Sequence, residues 1–190
     1  SECIDADLYL KAVESLQKVD PSASSAYYLY RLYNSKGQLA EASQALNQSI
    51  SLLDASDVKT MAERQLELAV FEFQKQNHYS AAVAAAKKAM ELDPSMTGKA
   101  YLLIGTIWSA VPCGGDEVAQ RSKYWVAVDY MQKAINADEA VAEEARGLQA
   151  QYRRYFPNAA DAFMFDAVDG NSYSVSCGGM HETTTVRTQK

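Results

Sequence analysis

The run ERQLELAVFEFQKQNHYSAAVAAAKKAMELDP, Glu63 to Pro94, constrains this chain more than any other feature. Leu66, Ala69, Val70 and Phe73 share one face of a short helix, and Tyr79, Ala82, Ala86 and Ala89 share one face of the next. Small side chains where two helices cross let their axes approach closely. A two-helix unit of this size cannot bury its apolar face alone, so it stacks on copies of itself.

Degenerate copies flank it. Between Ala23 and Leu53, a first helix carries Ala26, Leu29, Tyr30 and Tyr33. Lys36-Gly37 turns the chain, and a second helix carries Leu39, Ala42, Leu46, Ser49 and Leu53. From Gly98, Tyr101, Ile104, Gly105 and Trp108 repeat the first-helix pattern, and Tyr124, Ala127, Met131 and Ala134 the second. Ala42 and Ala82 are 40 residues apart, and the extra length is expected to extend the helices around Leu53–Ser56. Ala82 and Ala127 are 45 apart, which places an insertion, Val111 to Ser122, inside the last full unit. Insertions of this kind often border a binding face. Ahead of these copies, a helix is expected from about Asp5, after Cys3, to Val19. Its packing face is expected to be Leu8, Ala12, Leu16 and Val19, spaced four, four and three.

A helix is expected from Ala140 to Arg153, ended by Tyr155-Phe156-Pro157. The next stretch, AADAFMFDAV, reads as a short helix or turn whose Phe163 and Phe165 cover the open end of the stack. The composition then changes. SYSVSCGGMHETTTVR alternates and is rich in Ser, Thr and Val, giving strands at about Ser172–Cys177 and Glu182–Arg187 joined at Gly178-Gly179. A lone hairpin is marginal in water, so it must lie against the last helices. The expected fold is all-α: a short superhelical α-α solenoid over 1–157, with a cap over 158–190 that ends in a small β-hairpin.

Charge narrows the function classes. The chain has 190 residues, with 24 acidic and 18 basic side chains and a formal charge of −6. That disfavours nonspecific nucleic-acid binding, which needs a basic surface. No apolar run reaches membrane-spanning length, and Ala100–Val111 reads as a buried helix. There is no GxxxxGK[ST] run and no HExxH, and the carboxylate pairs Asp116-Glu117 and Glu143-Glu144 read as solvated groups. The expectation is no enzyme, no cofactor and no metal. Sugar or small-ligand stacking on Tyr27, Tyr28, Tyr30, Tyr33, Trp108 and Trp125 is a further reading, but most of these rings fall at repeat-core positions.

The pattern resembles the tetratricopeptide repeat over roughly residues 20–138. Its signature sites fall on Leu66, Ala69, Val70, Phe73, Ala82, Ala86, Ala89 and Pro94, with Val70 where glycine is usual and Ala86 where an aromatic is common. The tail, RYFPNAADAFMFDAV and GNSYSVSCGGMHETTTVR, is similar to that of uncharacterised repeat proteins in gut Bacteroidetes. That likeness implies an origin, with Ser1 an internal cut in a longer array and a periplasmic or cell-envelope location rather than a cytoplasmic one.

The family resemblance implies a concave surface, made by the first helix of each unit, that takes a peptide or a partner helix. Carried across, its sites are Tyr27, Arg31 and Asn34, then Glu67, Phe71 and Gln74, then Lys99, Leu102 and Thr106. The family's peptide-carboxylate clamp uses Lys and Asn at paired sites. Here those pairs are Tyr27/Arg31, Glu67/Phe71 and Leu102/Thr106, which argues against a chaperone-tail receptor and for a mixed aromatic and polar groove. The plainer reading is that Tyr27 and Phe71 pack between repeats. The expected function is a noncatalytic scaffold or adaptor for a protein or peptide, with upstream repeats of the same protein among the partners. The alternatives are a redox-responsive or enzyme-associated protein using Cys113 and Cys177, or a purely structural end of a longer array.

Cys113 and Cys177 each precede two glycines, and the loop and hairpin that carry them are expected at the same end of the stack. Three states stay open to the pair: a disulfide stapling tail to solenoid, free thiols, or a metal site joined by His181. A disulfide here would close a long loop, contributing roughly 3–5 kcal/mol in the chain-entropy picture, and would fit an oxidising compartment. Zinc wants four ligands, and four are not found together. A Cys177–His181 nucleophile pair lacks an orienting group. His78, beside Tyr79, reads as a turn residue.

Overall fold

The computed structural model describes the backbone of residues 2–189 and the side chains of residues 7–189, so the Cys3 side chain lies outside the described residues. The helices are α1 (Glu2–Val19), α2 (Ala23–Ser35), α3 (Leu39–Ser51), α4 (Val58–Gln76), α5 (Tyr79–Leu92), α6 (Thr97–Ala110), α7 (Glu117–Ala137), α8 (Glu139–Arg153) and α9 (Ala159–Met164). Strands β1 (Ser172–Cys177) and β2 (Met180–Thr185) follow. The pairs α2/α3, α4/α5 and α6/α7 are the three repeat units. The α1 helix packs on α2, and α8 packs on α7 and touches α6. The fold is the expected all-α helical repeat ending in a two-stranded antiparallel hairpin.

Local chemistry sets the boundaries. Side chains of Ser22, Asp57, Asp116, Asp138 and Asn158 accept from backbone N–H groups at the starts of α2, α4, α7, α8 and α9. Each satisfies a donor that the first helical turn leaves unpaired. Asn77 ends α4 in the left-handed conformation, with φ 55°. Gly37 turns α2 into α3 at φ 73°, a conformation that costs glycine little. Ala42, Ala82, Ala86, Ala89, Ala127 and Ala134 are wholly buried at the crossings.

Several expectations need correction. The α1 helix begins before Asp5 and includes position 3. Its inner face is Leu10, Val13 and Gln17, while Leu8, Ala12, Leu16 and Val19 all face solvent. The extra length after α3 is not helix: residues 52–57 form a loop in which Asp54 Oδ1 accepts from the Ser56 N–H at 2.8 Å. The insertion is shorter than expected, because Asp116 caps α7 and Glu117–Ser122 are helical. The second strand starts two residues early, at Met180. Phe163 does not cover the end of the stack as expected; it is 81% exposed.

Candidate functional site

The predicted groove residues lie on α2, α4 and α6. Tyr27 and Glu67 meet: the Tyr27 hydroxyl donates to Glu67 Oε2 at 2.9 Å, and the Arg64 guanidinium sits 4.8 Å from the Tyr27 ring centroid. Burial, with the Glu67 hydrogen bond second, holds the Tyr27 phenol above its ordinary pKa. The Arg64 Nη1 donates to the carbonyls of Ser49 at 2.8 Å and Ala23 at 3.2 Å, tying α2, α3 and α4 together beneath this corner. Next to it, Glu63, Leu66, Glu67, Val70, Met96 and Lys99 line an open cleft of about 430 Å³. The floor is apolar, and the rim carries two carboxylates and one ammonium.

The remaining predicted sites fall differently. Phe71 is 3% exposed, with its ring edge-on to Tyr30 at 5.7 Å, so it belongs to the packing between repeats and not to an open surface. Its position on α4 turns it toward α2, which sequence spacing alone does not reveal. Leu102 is half-buried against the core, and the Thr106 hydroxyl donates back to the Leu102 carbonyl at 2.9 Å. Arg31 and Gln74 are exposed, and Asn34 is half-buried. Of the rings offered for ligand stacking, Tyr30, Trp108 and Trp125 are sealed in the core.

Sequence reading missed Glu72, a buried carboxylate one residue beyond Phe71. It accepts from Ser43 Oγ at 2.8 Å and Gln76 Nε2 at 3.2 Å, and it meets His78 Nδ1 at 2.8 Å. Glu72 thereby joins α3, α4 and the turn before α5, which gives His78 its structural role. An acid on the apolar face of a repeat helix was the available signal.

Cys113 and Cys177 form a disulfide, which closes the free-thiol and metal alternatives for this state. It ties the loop between α6 and α7 to the turn of the hairpin. Gly178, at φ 57°, sits so close that a Cβ there would meet Val111 Cγ2 at 2.5 Å. His181 shares a hydrogen bond with Ser176 Oγ at 2.7 Å across the hairpin. The hairpin docks on α7: Val175, Cys177, Met180 and Val186 enter the common core. The Tyr130 hydroxyl donates to Glu182 Oε1 at 2.5 Å, and Arg187 pairs with Asp129 at 2.8 Å. A cavity of about 730 Å³ between the end of α8 and the tail is lined by Arg153, Arg154, Phe156, Asp169, Arg187 and Thr188, among others. The charge of Arg187 there is already matched by Asp129. Among the described residues, no group of three or more His, Cys, Asp or Glu is placed to hold a metal ion.

This architecture defines a helical-repeat protein of tetratricopeptide-like fold. Two solved structures of MamA share it. One is 21% identical, covering 80% of this chain and 79% of its own, with a TM-score of 0.52. Another is 20% identical, covering 85% and 89%, with a TM-score of 0.53. At these identities the likeness shows the fold alone, and it carries no signal specific to Bacteroidetes. No protein-family model matches the chain, and no curated protein matches it.

Proposed function

We propose that this chain is a noncatalytic interaction module whose α2/α4/α6 face takes a protein or peptide partner. In this reading residues 1–157 form the binding solenoid and 158–190 cap it. One observation carries the proposal: the tail packs on α7, while the cleft of Leu66, Val70 and Met96 stays open with exposed Glu63 and Lys99 on its rim. Amphipathic helices commonly dock their apolar faces into hydrophobic grooves of this kind. The net charge of −6 argues against nucleic acid, and no helix among the described residues is long and apolar enough to cross a membrane.

The test is capture from native lysate with the intact chain, followed by crosslinking from position 66. Arg31→Glu, Val70→Glu and Lys99→Glu together are expected to abolish capture while leaving the helical circular-dichroism signal intact. Equal capture by both baits, or crosslinks only from the tail, overturns the assignment.

The disulfide directly supports a second reading, a redox-responsive or purely structural end of a repeat array. It joins two segments 64 residues apart. A disulfide is at home in an oxidising compartment, which favours the periplasm or cell envelope. An origin in gut Bacteroidetes rests on the sequence of the tail. If the bond is redox-responsive, capture changes with reductant in the native chain and not in Cys113→Ser/Cys177→Ser; if it is purely structural, capture is the same with and without reductant and only thermal stability falls.

A further inference from the structure

Helix α1 has two apolar faces, and the fold uses one. Leu10 and Val13 enter the core. Leu8, Leu16 and Val19 are 67%, 54% and 85% exposed, and with Ala12 they form one continuous outward stripe. Single exposed aliphatics are ordinary, but a stripe at helical spacing marks a face that a partner covers. Exposed Lys11 and Lys18 run along its edge. The described acids of α1 turn elsewhere: Asp7 pairs with Lys36, and Glu14 accepts from the Tyr33 hydroxyl at 2.7 Å.

A second uncovered patch lies at α9, which packs on α7, far along the array from α1 on α2. There Phe163, Met164, Phe165 and Val168 are exposed. Their charged neighbours are Asp161, Asp166 and Asp169, and from Tyr155 to Val186 the sequence holds no lysine or arginine. Arg153 and Arg154 stand beside Asp169 on the α8 side.

We infer that these patches are the two halves of one self-association interface, in which the α1 stripe of one copy docks on the Phe163–Val168 patch of the next. Pairing α1 with α1 would set Lys11 and Lys18 against their own copies. Pairing patch with patch would set aspartates against aspartates. The α1-to-patch contact alone opposes lysines with aspartates. Repeated head to tail along the array, such a contact continues into rings or chains.

The test uses the full oxidised chain and two variants at exposed positions, Leu16→Asp and Phe163→Lys, with mass read by multi-angle light scattering. The wild type is expected to grow past the dimer as concentration rises and to shrink in high salt. Each variant alone is expected to stay monomeric. An equimolar mixture is expected to give a 1:1 dimer and stop, because each variant keeps the surface the other has lost. Leu16→Ser and Phe163→Ser repeat the comparison should either charged variant lose its helical signal. A wild type that is monomeric at every accessible concentration overturns the inference. So does a dimer that stops at two and survives Phe163→Lys, or a mixture that stays monomeric.

Discussion

Trp125 and Arg187 bond each other twice. The Trp125 indole Nε1 donates to the Arg187 carbonyl at 2.7 Å, and Arg187 Nη2 donates to the Trp125 carbonyl at 2.9 Å. The indole is wholly buried, with its ring edge-on to Tyr173 at 5.3 Å. This pair seats the end of the hairpin on α7, where Arg187 also reaches Thr184 Oγ1 and Asp129. Trp125→Phe keeps an aromatic ring but removes the N–H and leaves a carbonyl without its donor. The lost bond and the small cavity together are expected to cost about 2–4 kcal/mol. Urea denaturation followed by circular dichroism checks this; a loss of only a few tenths of a kcal/mol would mean the pair is incidental.

The disulfide acts on the unfolded chain. Cys113 and Cys177 are 64 residues apart, and closing a loop of that length restricts the denatured ensemble by about 4 kcal/mol. Cys113→Ser/Cys177→Ser is expected to lower stability by about that amount. The hairpin should stay docked, because Trp125–Arg187, Tyr130–Glu182 and Thr184–Asp129 remain. Thermal melts with and without reductant test both parts. The native chain should shift down on reduction, the variant should not move, and amide exchange in β1 and β2 should remain protected in both.

The repeat was legible because its determinants are local. Ala82, Ala86 and Ala89 sit at the close crossings their spacing predicts, and Asp93-Pro94 ends α5. The outward stripe of α1 was assigned to the wrong side for a physical reason: periodicity identifies a face but not which way it turns, and Leu10 and Val13 compete for the inside. The same ambiguity left Phe71 with two readings, groove or packing between repeats, and its burial against Tyr30 supports the packing one. The Cys113–Cys177 bond was one of three open states because pairing depends on where the hairpin docks. That docking rests on contacts such as Trp125 with Arg187, 62 residues apart, which no local pattern encodes. Glu72 was overlooked because a carboxylate reads as solvated unless its partners, Ser43 and His78, are known to converge on it.

Two helical glycines are expected to respond oppositely to alanine. Gly147 lies inside α8 with open space where a Cβ would stand, so Gly147→Ala should gain about 0.5–1 kcal/mol from helix propensity and a less flexible unfolded chain. Gly98 is buried at the start of α6, where a Cβ would fall 2.2 Å from Cβ of Asp138, the residue that caps α8. There the same propensity gain is outweighed, because the clash can be relieved only by moving α8 away from α6. Overpacking of this kind costs about 1–3 kcal/mol. Denaturation midpoints of the two variants should move in opposite directions, and a Gly98→Ala variant as stable as the parent would contradict the close approach.

Alkaline pH is expected to destabilise the fold through its buried and half-buried phenols. Burial, and secondarily the hydrogen bond to Glu14, raises Tyr33 from its ordinary 10.0 to about 12. Burial and the bond to Glu182 raise Tyr130 still further. A raised folded-state pKa means that the native chain keeps a proton the unfolded chain releases. The contribution is therefore complete below about pH 10, the value for an exposed tyrosine, and is lost as pH rises through the folded-state value. Stability should be flat from neutral pH to about 9 in respect of these groups and fall steeply between 10 and 12. Tyr33→Phe and Tyr130→Phe each remove one titrating group, so each variant should be less stable at pH 8 yet show a shallower alkaline decline. Urea midpoints measured at pH 8, 10 and 11 check the sign. If Tyr130→Phe falls as steeply as the parent, the alkaline loss arises elsewhere and Glu182 does not hold the Tyr130 proton in the folded chain.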